Sequence, residues 1–198
     1  PGVSFACARH LGMGREIFGV LKGQLDRLLK QLDMPDPQTT GVVLLGRGSS
    51  DAGANGELAK MARWLQEESD HELVDLAFTG MTFPRLERVV QRQVLIGLRQ
   101  VVVLPYYLYT GTLMQRIHRQ VDHLRAQYPQ IRFACGTHFG FEKEIFELVE
   151  QRVHDLLLSF DTTVNLGGLV AADEDVVRFD GADFSLVFDG SAAGLAPA

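Results

Sequence analysis

The sequence predicts an α/β protein with a parallel four-stranded sheet, helices on both faces of the sheet and an internal duplication. Short apolar runs alternate with helical stretches, which is typical of right-handed β-α-β crossovers. One stretch of the chain recurs later at a constant offset. The chain has 198 residues, of which 46% are hydrophobic and 22% charged. This composition suits one domain, or one domain and a fragment, with a sizeable core.

The net charge of -6 is concentrated at the end of the chain. Residues 160–198 contain seven acidic residues and one basic residue, Arg178, so residues 1–159 contain equal numbers of acidic and basic residues. A neutral body offers no electrostatic footprint for nucleic acid, and no apolar run reaches the roughly 18 residues of a membrane span. The absence of a signal peptide and the presence of only two cysteines, Cys7 and Cys135, predict a cytoplasmic protein with free, buried thiols. The missing initiator Met suggests that the chain belongs to something longer.

The start of the chain recurs near its middle. Residues 3–18 align without a gap with residues 131–146, and eight positions are identical, including a Cys-x-x-His in each copy. This predicts that residues 1–35 are the last β-α unit of a first repeat and that residues 41–159 are a complete second repeat. Residues 160–198 are expected to form an acidic tail, with a possible hairpin of residues 176–179 and 184–188, followed by disorder.

The second repeat is predicted to contain four β-α units. Strands are expected over residues 41–45, 72–78, 101–104 and 131–135, and the last helix over residues 142–159. The residues expected to face inward from the first three helices are Leu58, Met61, Ala62 and Leu65, then Leu86, Val89, Val90 and Val94, and finally Leu113, Met114, Ile117, Val121 and Leu124. The loops at residues 46–53, 106–112 and 136–141 should share the carboxyl edge of the sheet, where such folds bind ligands.

The first of these loops does not match a nucleotide or hydrolase motif. Gly46 and Gly48 would need a third glycine at the position of Asp51, and neither a phosphate-loop Lys nor a Gly-x-Ser-x-Gly elbow is present. No organic cofactor is therefore predicted. Ser49, Ser50 and Asp51 are expected to form a turn and a helix cap, with ligand contact as an added role.

Three segments resemble the long, two-repeat sirohydrochlorin cobaltochelatases. They are Leu44-Leu-Gly-Arg-Gly-Ser-Ser-Asp-Ala-Gly-Ala-Asn55, Val103-Leu-Pro-Tyr-Tyr-Leu-Tyr-Thr-Gly111 and His138-Phe-Gly140. The resemblance covers roughly residues 3–159 and implies a chelatase-like, flavodoxin-like fold. It also implies insertion of a divalent metal into sirohydrochlorin for cobalamin biosynthesis, with Co²⁺ as the first expectation and Ni²⁺ or Fe²⁺ as alternatives. Because the family encloses the macrocycle between two halves, it further implies a missing N-terminal half or a homodimer.

The sequence departs from the family at the metal ligands. The metal-holding half of the family reads Gly-His-Gly-Ser where this chain has Arg47, and a second family His falls near Thr112. The main ligands are therefore expected on the other half. The remaining candidates are His138 and its repeat partner His10 as metal ligands, with His138 also as the base for the pyrrole protons. The alternative is a His that hydrogen-bonds across a turn, beside a Cys in the core.

The resemblance also implies residues that bind the macrocycle. Arg47 can hold one of the eight carboxylates of sirohydrochlorin through two hydrogen bonds, although a solvated or structural Arg47 is an open alternative. The other predicted substrate-binding residues are Ser49, Ser50, Tyr107, Thr110 and Gly111. The remaining histidines are expected to be solvated (His118, His123, His154) or without a partner (His71). Two other functions stay open: a non-catalytic tetrapyrrole-binding or regulatory module, and an unrelated flavodoxin-like binding domain.

Overall fold

The computed structural model describes residues 5–32, 35–165, 177–179 and 186–187. They fall into two compact units, Met13–Glu144 and the combination of Pro1–Gly12 with Ile145–Ala198. The elements are β1 (Phe5–Cys7), α1 (Arg15–Leu29), β2 (Thr40–Gly46), α2 (Ala52–Glu67), β3 (Val74–Phe78), α3 (Leu86–Leu95), β4 (Gln100–Pro105), α4 (Thr112–Gln127), β5 (Arg132–Cys135), α5 (Lys143–Asn165), β6 (Val177–Phe179) and β7 (Leu186–Val187).

The unit Met13–Glu144 is built on a parallel sheet with the strand order β3-β2-β4-β5. Strands β2 and β4 are buried along their whole length, as their apolar sequences predict. The chain runs from β2 outward to β3 and from β4 outward to β5, so the direction of winding reverses between β2 and β4. A reversal of this kind opens a crevice at the carboxyl ends of the two central strands. The predicted fold class is confirmed.

The helices bury the apolar faces that their sequences predict. Every predicted inward residue of α2 is buried, and in α3 and α4 only Val94 and Leu113 are half-buried. Strand β4 extends to Pro105, whereas the sequence analysis expected it to stop at Leu104. Pro105 pairs with Leu45 of β2, where the Tyr106 N–H donates to the Leu45 carbonyl over 2.8 Å. Pro105 is tolerated because the pairing of β4 with β5 ends before it, at Val103 and Cys135.

Helix α1 is an integral part of the same unit. It packs against β4, β5 and α2 and buries Ile17, Phe18, Val20, Leu21, Gln24, Leu25 and Leu28. The rings of Phe18 and Trp64 pack edge to face with their centres 5.7 Å apart, and the guanidinium of Arg15 lies 4.1 Å from the centre of the Trp64 ring. The helix of the predicted first repeat therefore covers the sheet of the second repeat.

The other unit contains a small antiparallel sheet. Strand β6 pairs with β1 on one side and with β7 on the other. Strands β6 and β7 fall within the two ranges expected to form a hairpin, while residues 190–198 lie outside the described residues. Cys7 is exposed at the end of the edge strand β1, and Cys135 is half-buried, so the expectation of two buried thiols is wrong for Cys7. None of the helices in the described residues is long and apolar enough to cross a membrane.

Equivalent hydrogen bonds in the two units reproduce the sequence repeat. In one unit the Gln24 side chain donates to the backbone carbonyl of His138, over 3.4 Å. In the other the Arg152 side chain donates to the backbone carbonyl of His10, over 3.2 Å. Gln24 and Arg152 are separated by the same interval as the two histidines. Each bond joins the last helix of one predicted repeat to the His turn of the other, so the compact units have different boundaries from the predicted repeats.

Candidate functional site

Four loops lie at the carboxyl edge of the parallel sheet, at residues 47–51, 79–84, 106–111 and 136–141. The sequence analysis named the loops after β2, β4 and β5 and missed the loop after β3. The sequence could have predicted this loop, because the carboxyl ends of all strands in a parallel sheet lie at the same edge, so the loop after β3 must lie beside the other three.

The loop after β2 is ordered by side chains that cap helix α2. The Asp51 carboxylate accepts hydrogen bonds from two backbone N–H groups in the first turn, at 2.8 and 3.4 Å. The Ser49 hydroxyl accepts from the Asp51 N–H over 3.0 Å. Asn55 exchanges two hydrogen bonds with the backbone of Ser49, at 3.0 and 2.9 Å. Asp51 and Ser49 thus have the turn and capping roles predicted for them, while Ser50 is exposed.

The loops after β2 and β3 are joined through their backbones. The N–H of Gly80 donates to the carbonyl of Arg47 over 3.0 Å. Gly48 has a φ of 85°, and a Cβ at this position would overlap the carbonyl oxygen of Gly80. This close approach requires glycine. The Arg47 side chain is exposed and makes no hydrogen bond or ion pair within the described residues.

A polar cluster joins the loops after β3 and β4 to helix α4. The hydroxyls of Tyr107 and Thr79 lie 2.7 Å apart, and the Arg116 guanidinium donates to the Thr79 carbonyl over 3.3 Å. Burial raises the pKa of Tyr107, while the bond to Thr79 and the positive charges of Arg116 and Arg47 oppose that rise. Thr79 therefore links the Arg116 guanidinium to the Tyr107 hydroxyl.

The loop after β5 is joined to the loop after β4. The N–H groups of Phe139 and Gly140 donate to the carbonyls of Tyr107 and Leu108, at 2.8 and 3.0 Å. The rings of Tyr106 and Phe139 pack edge to face with their centres 5.0 Å apart. Burial raises the pKa of Tyr106 to about 12. Tyr106 is therefore a neutral packing residue at physiological pH, and Tyr107 is the tyrosine of this pair that belongs to the polar cluster.

The two candidate metal ligands lie in different compact units. His138 is half-buried against the turn at Gly140, whose φ is 66°, and its imidazole makes no hydrogen bond within the described residues. His10 is exposed and has the same relation to Gly12, whose φ is 79°. Nowhere in the described part of the chain do three His, Cys, Asp or Glu side chains form a group that could hold a metal ion.

The cysteine next to His138 is unsuited to metal binding. Cys135 packs against the core, and its thiol donates to the Gly136 carbonyl over 3.5 Å. Burial raises the pKa of Cys135 to about 12, although the positive charge of Arg125 opposes the shift. The thiol therefore stays protonated at neutral pH, whereas a metal ligand must be a thiolate.

The other predicted positions divide between the site and the rest of the fold. Thr110 and Gly111 are exposed at the start of α4, whose N-terminus has no side-chain cap. His71 was expected to lack a partner, but it is buried and its Nδ1 lies 3.1 Å from the Thr40 carbonyl, near the start of β2. His123 and His154 are exposed, as expected, and His118 is half-buried.

Large apolar side chains project into solvent from three of the four loops. Their exposed fractions are 65% for Met81, 73% for Phe83, 62% for Tyr109 and 79% for Phe141. Next to Phe83, the guanidinium of Arg85 lies 4.7 Å from the ring centre and keeps a buried nitrogen without a hydrogen-bond partner in the described structure. An edge that combines arginines with exposed aromatic rings suits a large anion with an apolar face. Apolar residues between Gly80 and Pro84 were the sequence signal for this surface.

Comparison with known proteins places this fold among the chelatases. The CbiX family model matches residues 41–156. A sirohydrochlorin cobaltochelatase from Priestia megaterium is 34% identical over 155 residues, which are 78% of this chain and 50% of that protein. A sirohydrochlorin ferrochelatase from the same organism is 27% identical over 147 residues, 73% of this chain and 54% of that protein.

The solved structure of SirB from Bacillus subtilis with Fe³⁺ has the same fold. Its TM-score is 0.64 at 24% identity, covering 81% of this chain and 61% of that one. The chain spans about half the length of the curated relatives that it matches. Because the family model covers more than half of the sequence and the cobaltochelatase is 34% identical over most of it, the chain belongs to the CbiX family.

Proposed function

We propose that this chain is one half of a sirohydrochlorin chelatase and binds the macrocycle at the carboxyl edge of its parallel sheet. The observation that carries the proposal is the carboxyl edge of the sheet, which carries two exposed arginines, Arg47 on a loop and Arg116 on α4, and exposed aromatic side chains on its loops. Sirohydrochlorin is a large ring with eight carboxylates, so it needs both cationic and apolar contacts. The 34% identity to a sirohydrochlorin cobaltochelatase supports this choice of ligand.

Each predicted site residue has a role in this proposal. Arg47 and Tyr107 bind carboxylate side chains of the macrocycle, and the exposed Ser50, Thr110 and Gly111 add hydrogen bonds. Ser49 contributes through the loop conformation that its bonds to Asn55 and Asp51 maintain. His138 accepts a pyrrole proton or holds the incoming metal, because a neutral imidazole near pH 7 can do either. His10 is the second candidate ligand. Metal is the second substrate, and the cobaltochelatase relative favours Co²⁺ over Fe²⁺ or Ni²⁺.

A complete chelatase site requires a second half in this proposal. The relatives are about twice as long as the matched region, and the described residues hold no three-residue metal group. The main ligands would come from a preceding repeat or from a partner subunit, and the reaction would take place in the cytoplasm. In this scheme residues 1–35 complete the first repeat and residues 41–159 form the second.

One observation favours a second candidate function. A chain that lacks a three-residue metal group in its described part can keep the macrocycle surface and serve as a non-catalytic tetrapyrrole-binding module. The two functions differ in the step after binding, because the module would bind the ring whether or not a second half is supplied and would not insert metal in either case.

The test is a spectroscopic titration of this chain with sirohydrochlorin, followed by addition of Co²⁺. We expect saturable binding and slow or undetectable insertion by the chain alone, with insertion restored when the longer protein that contains both repeats is assayed. Binding without insertion in either form would support the binding module. No detectable binding would refute both functions, and rapid insertion by the isolated chain would show that its site is already complete.

A further inference from the structure

Two guanidinium groups at the proposed site have no anionic partner. Arg47 and Arg116 are both exposed, and within the described residues neither forms an ion pair. The acids on the neighbouring helix have other partners: Asp51 caps α2, and Glu57 pairs with Lys60. The Arg116 guanidinium contacts the carbonyl of Thr79, whose hydroxyl is bonded to Tyr107, and the charges of Arg116 and Arg47 both oppose the rise in the pKa of Tyr107 that burial causes. The cluster is therefore cationic, and its exposed guanidinium groups are accessible to an anion from outside.

The hydroxyl pair of Thr79 and Tyr107 can donate a further hydrogen bond. The two hydroxyls carry two protons, and only one is used in the 2.7 Å bond that joins them. The other proton is available to an acceptor. The Arg116 bond to the Thr79 carbonyl uses one nitrogen of a guanidinium that has five N–H donors, so several donors remain.

The backbone holds these donors at fixed positions. The Thr79 N–H donates to the Gly46 carbonyl over 2.8 Å, and the Gly80 N–H donates to the Arg47 carbonyl over 3.0 Å. Arg116 lies in the second turn of α4, whose first turn lacks a side-chain cap and leaves backbone N–H groups free for a ligand. These backbone bonds hold Thr79 beside the loop after β2, and the contacts of Thr79 with Tyr107 and Arg116 join the loop after β4 and helix α4 to it.

We infer that Arg116 is a substrate-binding residue and forms, with Arg47 and the Thr79–Tyr107 hydroxyl pair, a subsite for one carboxylate of the tetrapyrrole. The inference rests on the proposed function for the identity of the ring and its carboxylates, while the preference for an anion follows from the donors alone. Arg116 supplies a fork of N–H groups to the carboxylate, and the hydroxyl pair supplies a third donor. The exposed Phe83 and Tyr109 rings are left to contact the apolar face of the macrocycle.

The first experiment measures macrocycle affinity for the parent and for Arg116→Ala, Arg116→Lys, Tyr107→Phe and Arg99→Ala. A hydrogen bond to a charged group is worth enough for Arg116→Ala to weaken binding about 10- to 100-fold. Arg116→Lys should recover only part of this loss because it lacks the planar fork. Tyr107→Phe should weaken binding about 3- to 10-fold. Arg99 is exposed just before β4, at the opposite edge of the sheet, so Arg99→Ala removes the same charge and should bind like the parent.

The second experiment uses citrate as a carboxylate probe and does not require the macrocycle. The chain has four tyrosines, and the Tyr107→Phe spectrum identifies the Tyr107 resonance in ring-labelled protein. Citrate should shift this resonance in the parent and in Arg99→Ala but not in Arg116→Ala.

The two experiments separate failure of the inference from failure of the proposed function. Macrocycle binding that is equally tight in Arg116→Ala and the parent would overturn the subsite and leave the proposed function intact. Failure to bind the macrocycle, together with a citrate response that depends on Arg116, would overturn the proposed function and keep the carboxylate subsite. The absence of both responses would overturn both.

Discussion

At the scale of single residues, burial determines the reactivity of the two thiols. Cys7 is exposed, whereas burial raises the pKa of Cys135 to about 12, so at pH 8 only on the order of one Cys135 in 10,000 is the reactive thiolate. We expect a maleimide reagent to label Cys7 and to spare Cys135 in the folded protein. Mass spectrometry of labelled peptides checks this, and Cys7→Ser should show no rapid labelling until urea is added. Rapid labelling of folded Cys7→Ser would contradict the burial of Cys135.

A second residue-scale prediction concerns the histidines. Because no three-residue metal group occurs in the described residues, isolated protein should bind Co²⁺ weakly, and any binding should depend on His138 or His10. Calorimetric titration of the parent and of the His10→Ala/His138→Ala double variant measures this dependence. His123→Ala, which removes an exposed imidazole from α4, is the matched control. Tight binding that survives the double substitution would place the metal site elsewhere.

The sequence predicted residues whose role depends on local chain geometry better than residues whose role depends on distant neighbours. The Asp51 cap and the exposed position of Arg47 at the carboxyl edge both follow from a strand that ends in a loop before a helix. Thr79 and Arg116 were missed because they come together only when β3 and α4 are placed beside each other in three dimensions. The reversal of winding between β2 and β4, which sets that placement, is decided by strand order, and a single sequence does not determine it.

At the scale of elements, strand and helix positions were predictable because each buried face has a regular apolar period. Boundaries were less predictable, since they depend on pairing partners. Pro105 remains in β4 because the partner strand β5 has already ended there. The small sheet of β1, β6 and β7 shows that pairing partners are also hard to predict, because β1 pairs with β6, far along the chain, rather than with a strand near it in sequence.

The loop after β2 provides the element-scale prediction. Gly48→Ala places a Cβ against the Gly80 carbonyl and forces alanine into a left-handed conformation, so we expect a loss of about 1–3 kcal/mol in the free energy of unfolding. Macrocycle binding should weaken as well, because this loop positions Arg47. Gly56→Ala is the control: its Cβ would have no neighbour within 4 Å on helix α2, and it should stabilise by about 0.4–1 kcal/mol. Urea denaturation measures both, and equal stability of Gly48→Ala and the parent would refute the close approach.

At the scale of the whole molecule, the sequence repeat of residues 3–18 and 131–146 has a counterpart in the hydrogen bonds. The bonds from Gln24 to His138 and from Arg152 to His10 join residues at equivalent positions of the sequence repeat. Because α1 covers β4 and β5, the sheet of the predicted second repeat depends on a helix that the sequence analysis assigns to the first. Sequence similarity reveals the repeat but not which sheet each helix covers, because α1 and α5 carry apolar residues at equivalent positions, such as Ile17 and Ile145.

This dependence yields a prediction for the cooperativity of unfolding. Leu21 is fully buried on α1, so Leu21→Ala should lower the free energy of unfolding by about 2–5 kcal/mol. If α1 is part of one cooperative unit with the parallel sheet, far-UV circular dichroism and the fluorescence of Trp64, the single tryptophan, should shift to the same lower urea midpoint. Asp26→Ala alters an exposed residue on the same helix and should change stability by no more than about 0.5 kcal/mol. A Leu21→Ala variant whose fluorescence transition moves while the circular dichroism transition stays in place would show that α1 separates from a sheet that remains folded without it.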